Sequence, residues 1–287
     1  MRFHHRLLSA SYPFVRTVRA LGEPIGLINC DQLRVLLYHD IPPHQQDHFA
    51  AQLRWLRHRW NFVNPERFAA MVARDEPICG KNLLLTFDDG FASNRAVAEQ
   101  VLNPMGIKAL FFIVSDFASI DNREEALHYI SAHICPGVDL ATMPAHLSNM
   151  GWADLEALLE KGHTIGCHTK SHARLSKLSR LEDLKLEILG SADTIERRLG
   201  VKVDHFAYPF GNIGSIGPTA LDVAKRRFRY IYSGLRGANM PAVPPRVIRR
   251  DACTAGDPFL LLGAFLEGAA DFRYRKYCRQ LDDWIKQ

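Results

Sequence analysis

Two rhythms alternate along the chain. Short apolar runs recur at Arg34–His39, Asn61–Val63, Asn82–Asp88, Lys108–Val114, His163–His168, His205–Phe210, Tyr230–Ser233 and Arg246–Arg249. Several, such as LLLTF at 83–87 and ALFFIV at 109–114, are continuously hydrophobic. Runs of that kind suit parallel strands covered on both faces. Between them, apolar positions fall at helical spacing. Helices are predicted over Phe49–Arg59, Ser93–Leu102, Trp152–Lys161 (stopped by Gly162) and Pro218–Phe228, which opens with proline at its first position. Ser179 and Glu182 form a capping-box pattern for a long helix ending at Leu199 before Gly200. Its apolar stripe is Leu184, Ile188, Ala192, Ile195 and Leu199. About eight strands with intervening helices predict an α/β fold of barrel type rather than an open sheet.

The two ends stand apart from this alternation. Residues 1–32 read as a helical extension, 33–252 as the barrel, and 253–287 as two closing helices. Both ends are expected to pack on the barrel; the alternative is that one of them forms a membrane-surface or partner face. Composition is that of an ordinary globular protein: 47% hydrophobic and 23% charged. The net charge of +5 is mildly basic, and no basic run with interleaved aromatics is present, so nucleic acid is not an expected partner. No apolar stretch approaches the roughly 20 residues of a spanning helix. Arg residues break every apolar run of the N-terminal segment, which lacks the core of a signal peptide, so a cytoplasmic protein is expected. The six cysteines form no CxxC pair and are expected to be reduced thiols.

Three segments carry chemistry. In LLLTFDDGF (83–91) a buried strand ends in Asp88 and Asp89, with Gly90 permitting a tight turn into a helix. Helix capping would account for one of these carboxylates more easily than for both, since neighbouring side chains on a strand point opposite ways. In HTIGCHTKSH (163–172) His168 ends a strand and His172 follows four residues later, a spacing that suits one divalent ion but also arises by chance among 13 histidines. In FAYPFGN (206–212) a strand ends in Tyr-Pro-Phe-Gly, either an ordinary turn or a loop offering the N–H of Phe210 or Gly211 to an oxyanion. All three lie at strand C-termini, the rim where βα barrels build their sites.

In this order, TFDDG, HTKSH and YPFG resemble the motifs of the polysaccharide deacetylase family, the NodB-type carbohydrate esterases. The resemblance extends over roughly residues 34–250, with the core from about 81. It implies a distorted (β/α)7-type barrel in a single domain with extra terminal helices. It also implies a divalent metal ion, zinc first, with cobalt, nickel or manganese as alternatives. The implied reaction is hydrolysis of N-acetyl groups on a carbohydrate. By position, Asp88 resembles the general base, Asp89, His168 and His172 the metal triad, and the Phe210 N–H the oxyanion donor, with Tyr208 in the same loop.

Two family elements are missing. Where the common motif has a base-orienting arginine, this chain has Ala207; Arg246 is the candidate substitute, with Arg249 and Arg250 as rivals. No histidine follows His205, so the usual C-terminal acid is absent. His39 in VLLYHDI resembles instead the acid of the permuted poly-N-acetylglucosamine deacetylase branch, whose acid lies in an N-terminal Tyr-His motif. The segment 120–151 reads as an aperiodic insertion expected to shape the substrate groove. Two other functions remain open: a hydrolase of the same fold acting on other non-peptide C–N bonds, and an inactive glycan-binding protein.

Overall fold

The computed structural model describes residues 9–10, 12–13, 17, 31–240 and 247–286. Its centre is one parallel sheet of eight strands: β1 (Gln32–Tyr38), β2 (Asn61–Phe62), β3 (Lys81–Phe87), β4 (Leu110–Ile113), β5 (Thr164–Cys167), β6 (His205–Ala207), β7 (Tyr230–Tyr232) and β8 (Asp251–Ala252). Their order is β7-β6-β5-β4-β3-β1-β8, with β2 beside β3. The ends of that row approach each other through one segment. Ile248 bridges Tyr232 of β7 in parallel, and three residues later Asp251 pairs with Leu36 of β1. A single stretch therefore touches both ends of the sheet, the geometry of a distorted (β/α) barrel.

Alternation along the strands sorts the side chains into two layers. Leu83, Leu85 and Phe87 of β3 join Leu36, Tyr38, Phe111, Ile165 and Phe206 beneath the surrounding helices. Leu84 joins Leu33, Val35, Leu110, Phe112, Ala207, Tyr232 and Ile248 in a second cluster. Residues from β1 and β7, separated in the sheet order, can share a cluster only if it fills the barrel interior. Helix Pro65–Ala73 supplies Phe68 and Met71 to this inner cluster. That helix was not anticipated, although Asn64 caps it by accepting the Arg67 N–H and Pro65 opens it.

Other differences are local. The predicted helix over 179–199 starts at Leu181, and Arg180 rather than Ser179 is its N-cap, with no side-chain cap. It is interrupted by a π-turn at Leu186–Gly190 before Ser191–Leu199. The helix from Ala92 likewise passes through a π-turn at Ala98–Leu102. The insertion 120–151 is not structureless: it holds a helix at Arg123–Tyr129 and a further π-turn at Ile130–Ile134. These pieces are too short to show periodicity. The expected strand Arg246–Arg249 is reduced to the Ile248 bridge, with β8 beginning at Asp251. The two C-terminal helices are Phe259–Leu266 and Arg275–Lys286. Among the described residues no helix is long and apolar enough to cross a membrane, and five cysteines are free.

Candidate active site

The strand register brings the motif residues to one rim. Tyr38 pairs with Phe87, so His39 and Asp88 follow side by side, and the Asp88 N–H donates to Tyr38 O at 2.9 Å. Ile113 pairs with Cys167, which pairs with Phe206, so His168 lies next to Ala207. Asp88 stays in phase with Leu84 and Thr86 and turns toward the interior. Asp89 does not follow the alternation. Its φ of 76° bends the chain out of the extended region, which is how two consecutive carboxylates reach one site.

Three ligand-type groups converge. Asp89, His168 and His172 are buried and place one ligand atom each within 4.8 Å of one another. The Asp89 Oδ1 lies 3.4 Å from His168 Nε2 and 3.3 Å from His172 Nε2. The other face of each ring is committed. His168 Nδ1 donates to Ala207 O at 2.7 Å and His172 Nδ1 donates to His133 O at 2.8 Å. A carbonyl only accepts, so in the neutral rings Nε2 carries a lone pair aimed at Asp89. The Asp89 Oδ1 is itself buried with no hydrogen-bond partner. Two inward-facing imidazole lone pairs beside an orphaned carboxylate oxygen fit a divalent cation, and the two-nitrogen, one-oxygen set suits zinc, cobalt, nickel or manganese.

Electrostatics agree with a site built for positive charge. Burial opposes ionisation of Asp89, yet contacts with His168 and His172 and the nearby charge of His39 hold its carboxyl well below the usual carboxylate range. Burial also opposes a charged His172, but the Asp89 carboxylate outweighs it and raises that imidazole's pKa.

Asp88 is gripped by a different partner. Arg250 donates from Nη1 to Oδ1 at 2.6 Å and from Nη2 to Oδ2 at 2.8 Å, a buried bidentate pair. Its Nε donates to Ser233 O at 2.8 Å, and its guanidinium stands over Phe112, 5.1 Å from the ring centre. The arginine beside Asp88 is thus Arg250, one of the rivals, while Arg246 lies outside the described residues. Arg249 points elsewhere, to Asp282 at 2.8 Å. The period-two alternation places Arg250 on the inward face with Ile248, which packs in the inner cluster.

The YPFG loop divides into two roles. Tyr208 is fully buried and its hydroxyl donates to Gly211 O at 3.1 Å, so its side chain shapes the loop and is not presented to a substrate. Gly211 has a φ of 62° and a Cβ there would meet Gly234 N at 2.6 Å, so only glycine fits. Phe210 has a φ of 63° and is 36% exposed. Its ring leans on His172 with centroids 4.7 Å apart and lies under the Arg174 guanidinium at 4.1 Å. Among the described residues no acceptor takes the Phe210 N–H.

His39 is exposed just beyond β1, and Asn94 Nδ2 donates to its carbonyl at 2.8 Å. The insertion also reaches this rim. Its His146 Nε2 lies 2.8 Å from Asp40 Oδ2, and Asn149 pairs with Phe91 just after the Asp-Asp-Gly turn.

Comparison with known proteins places this geometry. The sequence profile of the polysaccharide deacetylase family matches residues 75–227, over half of the chain, and the protein belongs to that family. YxkH of Bacillus subtilis, which carries the polysaccharide deacetylase name, is 30% identical over 186 residues, covering 63% of this chain and 57% of that protein. The chain thus spans less than two thirds of that relative's length. Among solved structures, IcaB from Ammonifex degensii shares the fold with a TM-score of 0.67 at 24% identity, covering 83% of this chain and 98% of that one. The Streptococcus pyogenes deacetylase PplD, solved with acetate, gives 0.63 at 19% identity, with 82% and 97% covered. The de-N-acetylase of Aggregatibacter actinomycetemcomitans gives 0.62 at 18%, with 82% and 100% covered. The profile match contains Asp88, Asp89, His168, His172 and Phe210 but neither His39 nor Arg250.

Proposed function

We propose that the protein is a metal-dependent hydrolase that removes N-acetyl groups from a carbohydrate substrate. The observation that carries this reading is the juxtaposition at one rim of Asp89, His168 and His172 with a separate carboxylate, Asp88, locked by Arg250. Asp89, His168 and His172 would hold a divalent ion, zinc in the first instance, which would supply Lewis acidity toward the acetyl carbonyl and the attacking water. Asp88 accepts the proton of that water on the lone pairs that Arg250 leaves free. Arg250 fixes the carboxylate plane and with it the direction of those lone pairs. The Phe210 N–H donates to the oxyanion that develops on the former carbonyl oxygen. His39 protonates the departing amine, without which the C–N bond does not break. Phe210 and the Arg174 stacked on it wall the site beside His172.

The test is acetate release by purified protein from a panel of N-acetylated sugars, oligosaccharides and lipid-linked sugar precursors. Release is expected with added Zn(II) or Co(II), and its loss is expected after chelation. Metal-loaded protein that frees no acetate from any of them would overturn the reading.

A further inference from the structure

The loop from His168 to His172 carries two of the three proposed ligands on a strained backbone. Thr169 and His172 adopt φ values of 65° and 62°. Non-glycine residues in that region cost of order 1–3 kcal/mol each and persist where the surroundings over-determine them. The surroundings here come from two helices that each break into a π-turn beside the loop.

The first π-turn is Leu186–Gly190. Its Glu187 carboxylate accepts from Lys170 N–H at 3.1 Å, Ser171 N–H at 2.9 Å and Ser171 Oγ–H at 2.7 Å. The Glu187 main-chain carbonyl also accepts the Lys170 N–H, at 2.9 Å. The second π-turn is Ile130–Ile134, whose His133 carbonyl accepts from His172 Nδ1 at 2.8 Å. A π-turn widens the helix and leaves carbonyls without their ordinary i+4 partner, and such turns gather at functional sites. The Glu187 carbonyl, inside the first π-turn, and the His133 carbonyl, in the last turn before its helix ends at Cys135, are both taken by the ligand loop.

We infer that Glu187 is a positioning residue for the metal-ligand loop: its carboxylate clamps residues 170–171 so that His168 and His172 present their Nε2 atoms to one point. The inference rests on the proposed metal centre. The Glu187 carboxylate bonds to residues 170–171 and to none of the three proposed ligand side chains, so its effect runs through the backbone that joins the two imidazoles. The clamp is specific in its chemistry. Two N–H groups donate to one carboxylate oxygen and a hydroxyl to the other, so one fixed acceptor is required and the second position can reverse its direction. A glutamine can replace it in large part, with its oxygen taking the N–H groups and its amide turned toward Ser171 Oγ.

The experiment measures Co(II) affinity by chelator competition, together with the visible absorption of the Co(II) protein, which reports ligand geometry. Removal of an outer-shell partner typically weakens metal binding 10–100-fold. Glu187→Ala is therefore expected to weaken Co(II) binding about 10–100-fold and to change the spectrum, while Glu187→Gln recovers most of both. Ser171→Ala removes one of the three bonds and is expected to cost roughly fivefold. Folding is followed by far-UV circular dichroism. A folded Glu187→Ala protein with wild-type Co(II) affinity and spectrum overturns the inference. Should that variant fail to fold, Ser171→Ala decides: wild-type affinity and spectrum overturn it, and a weakened, altered site supports it. Wild-type protein that takes up no Co(II) would instead overturn the metal centre itself, a result distinguishable from failure of the clamp.

Discussion

His163 and His168 sit at opposite ends of β5, both buried, and they are wired in opposite senses. At the N-terminal end the Ala109 N–H donates to His163 Nδ1 at 3.1 Å, so that lone pair is consumed. Its Nε2 is left to donate to Asn103 Oδ1 at 3.1 Å, and no lone pair remains for an ion. At the C-terminal end the direction is reversed. His168 Nδ1 donates outward to Ala207 O, and the Nε2 lone pair faces Asp89. The same side chain on the same strand is a satisfied structural group at one end and a candidate ligand at the other. What separates them is whether the backbone offers Nδ1 a donor or an acceptor. His205 falls outside this contrast: its Nδ1 lies 2.9 Å from the Tyr232 hydroxyl, a side-chain group that can donate or accept.

The sharpest way to break this comparison is to exchange the outcomes. His168→Ala should weaken divalent-ion binding by more than roughly 10²-fold, beyond what an outer-shell loss costs, and abolish acetate release while the fold persists. His163→Asn, which keeps an acceptor for the Ala109 N–H, should retain full metal stoichiometry. Metal analysis and circular dichroism of the two variants read this directly. Equal metal loss in both would show that the Nδ1 wiring does not separate the roles.

Next in size are the groups proposed to transfer protons. Asp88→Asn is expected to keep the ion and lower turnover roughly 10²–10⁴-fold, the usual worth of one acid or base. An Asp88→Asn protein that loses its ion would show that the two aspartates have exchanged roles. His39→Ala is expected to lose a similar factor on N-acetyl substrates, but much less on activated aryl acetates, whose leaving group needs no proton. Equal losses on both substrates would remove His39 from the acid role. Arg250→Met removes the partner of a buried carboxylate and is expected to cost about 3–5 kcal/mol in chemical denaturation. The proposed base and its arginine partner are thus expected to carry stability as well.

How far the sequence discloses this site depends on how local each signal is. Asp88, Asp89, His168 and His172 stand in two short motifs at strand ends, so residue type and spacing made them candidates, and the resemblance of the motifs supplied their expected roles. Arg250 is different. PRVIRR contains three arginines, and only the pairing of this segment with β7 and β1 decides which one turns inward. Alternation puts Arg246, Ile248 and Arg250 on one face and Arg249 on the other, but a strand spanning Arg246–Arg249 stops one residue short of Arg250. Glu187 was invisible for a related reason. On a regular amphipathic helix it reads as a solvated polar position beside Ile188, and a π-turn leaves no mark in the hydrophobic period. The His133 carbonyl could not be nominated at all, because main-chain groups carry no sequence signature. Helix Pro65–Ala73 was legible from Asn-Pro at its start, and was missed because its apolar face is short. The barrel class needed no such detail, since buried parallel strands alternating with helices follow from period and length alone.

The smallest effect is expected at His163, in stability rather than activity. Burial, with Lys108 and Arg95 nearby, pushes its pKa down to about 4. A free imidazole titrates near 6.5. Between these values the unfolded chain binds a proton that the folded protein refuses, so stability rises with pH across the window. The contribution is therefore complete above about pH 6.5 and is lost as the pH falls toward 4, by at most roughly 2–3 kcal/mol. His205, also lowered to about 4 by burial, adds in the same direction. His163→Asn removes the titration but keeps the acceptor. The variant should be somewhat less stable than wild type at pH 7.5, through lost packing, and the gap should narrow or reverse by pH 4.5. Urea denaturation at those two pH values measures it. A gap that is constant with pH would mean that His163 takes up a proton as readily in the folded protein as in the unfolded chain, contrary to its acceptor role toward the Ala109 N–H.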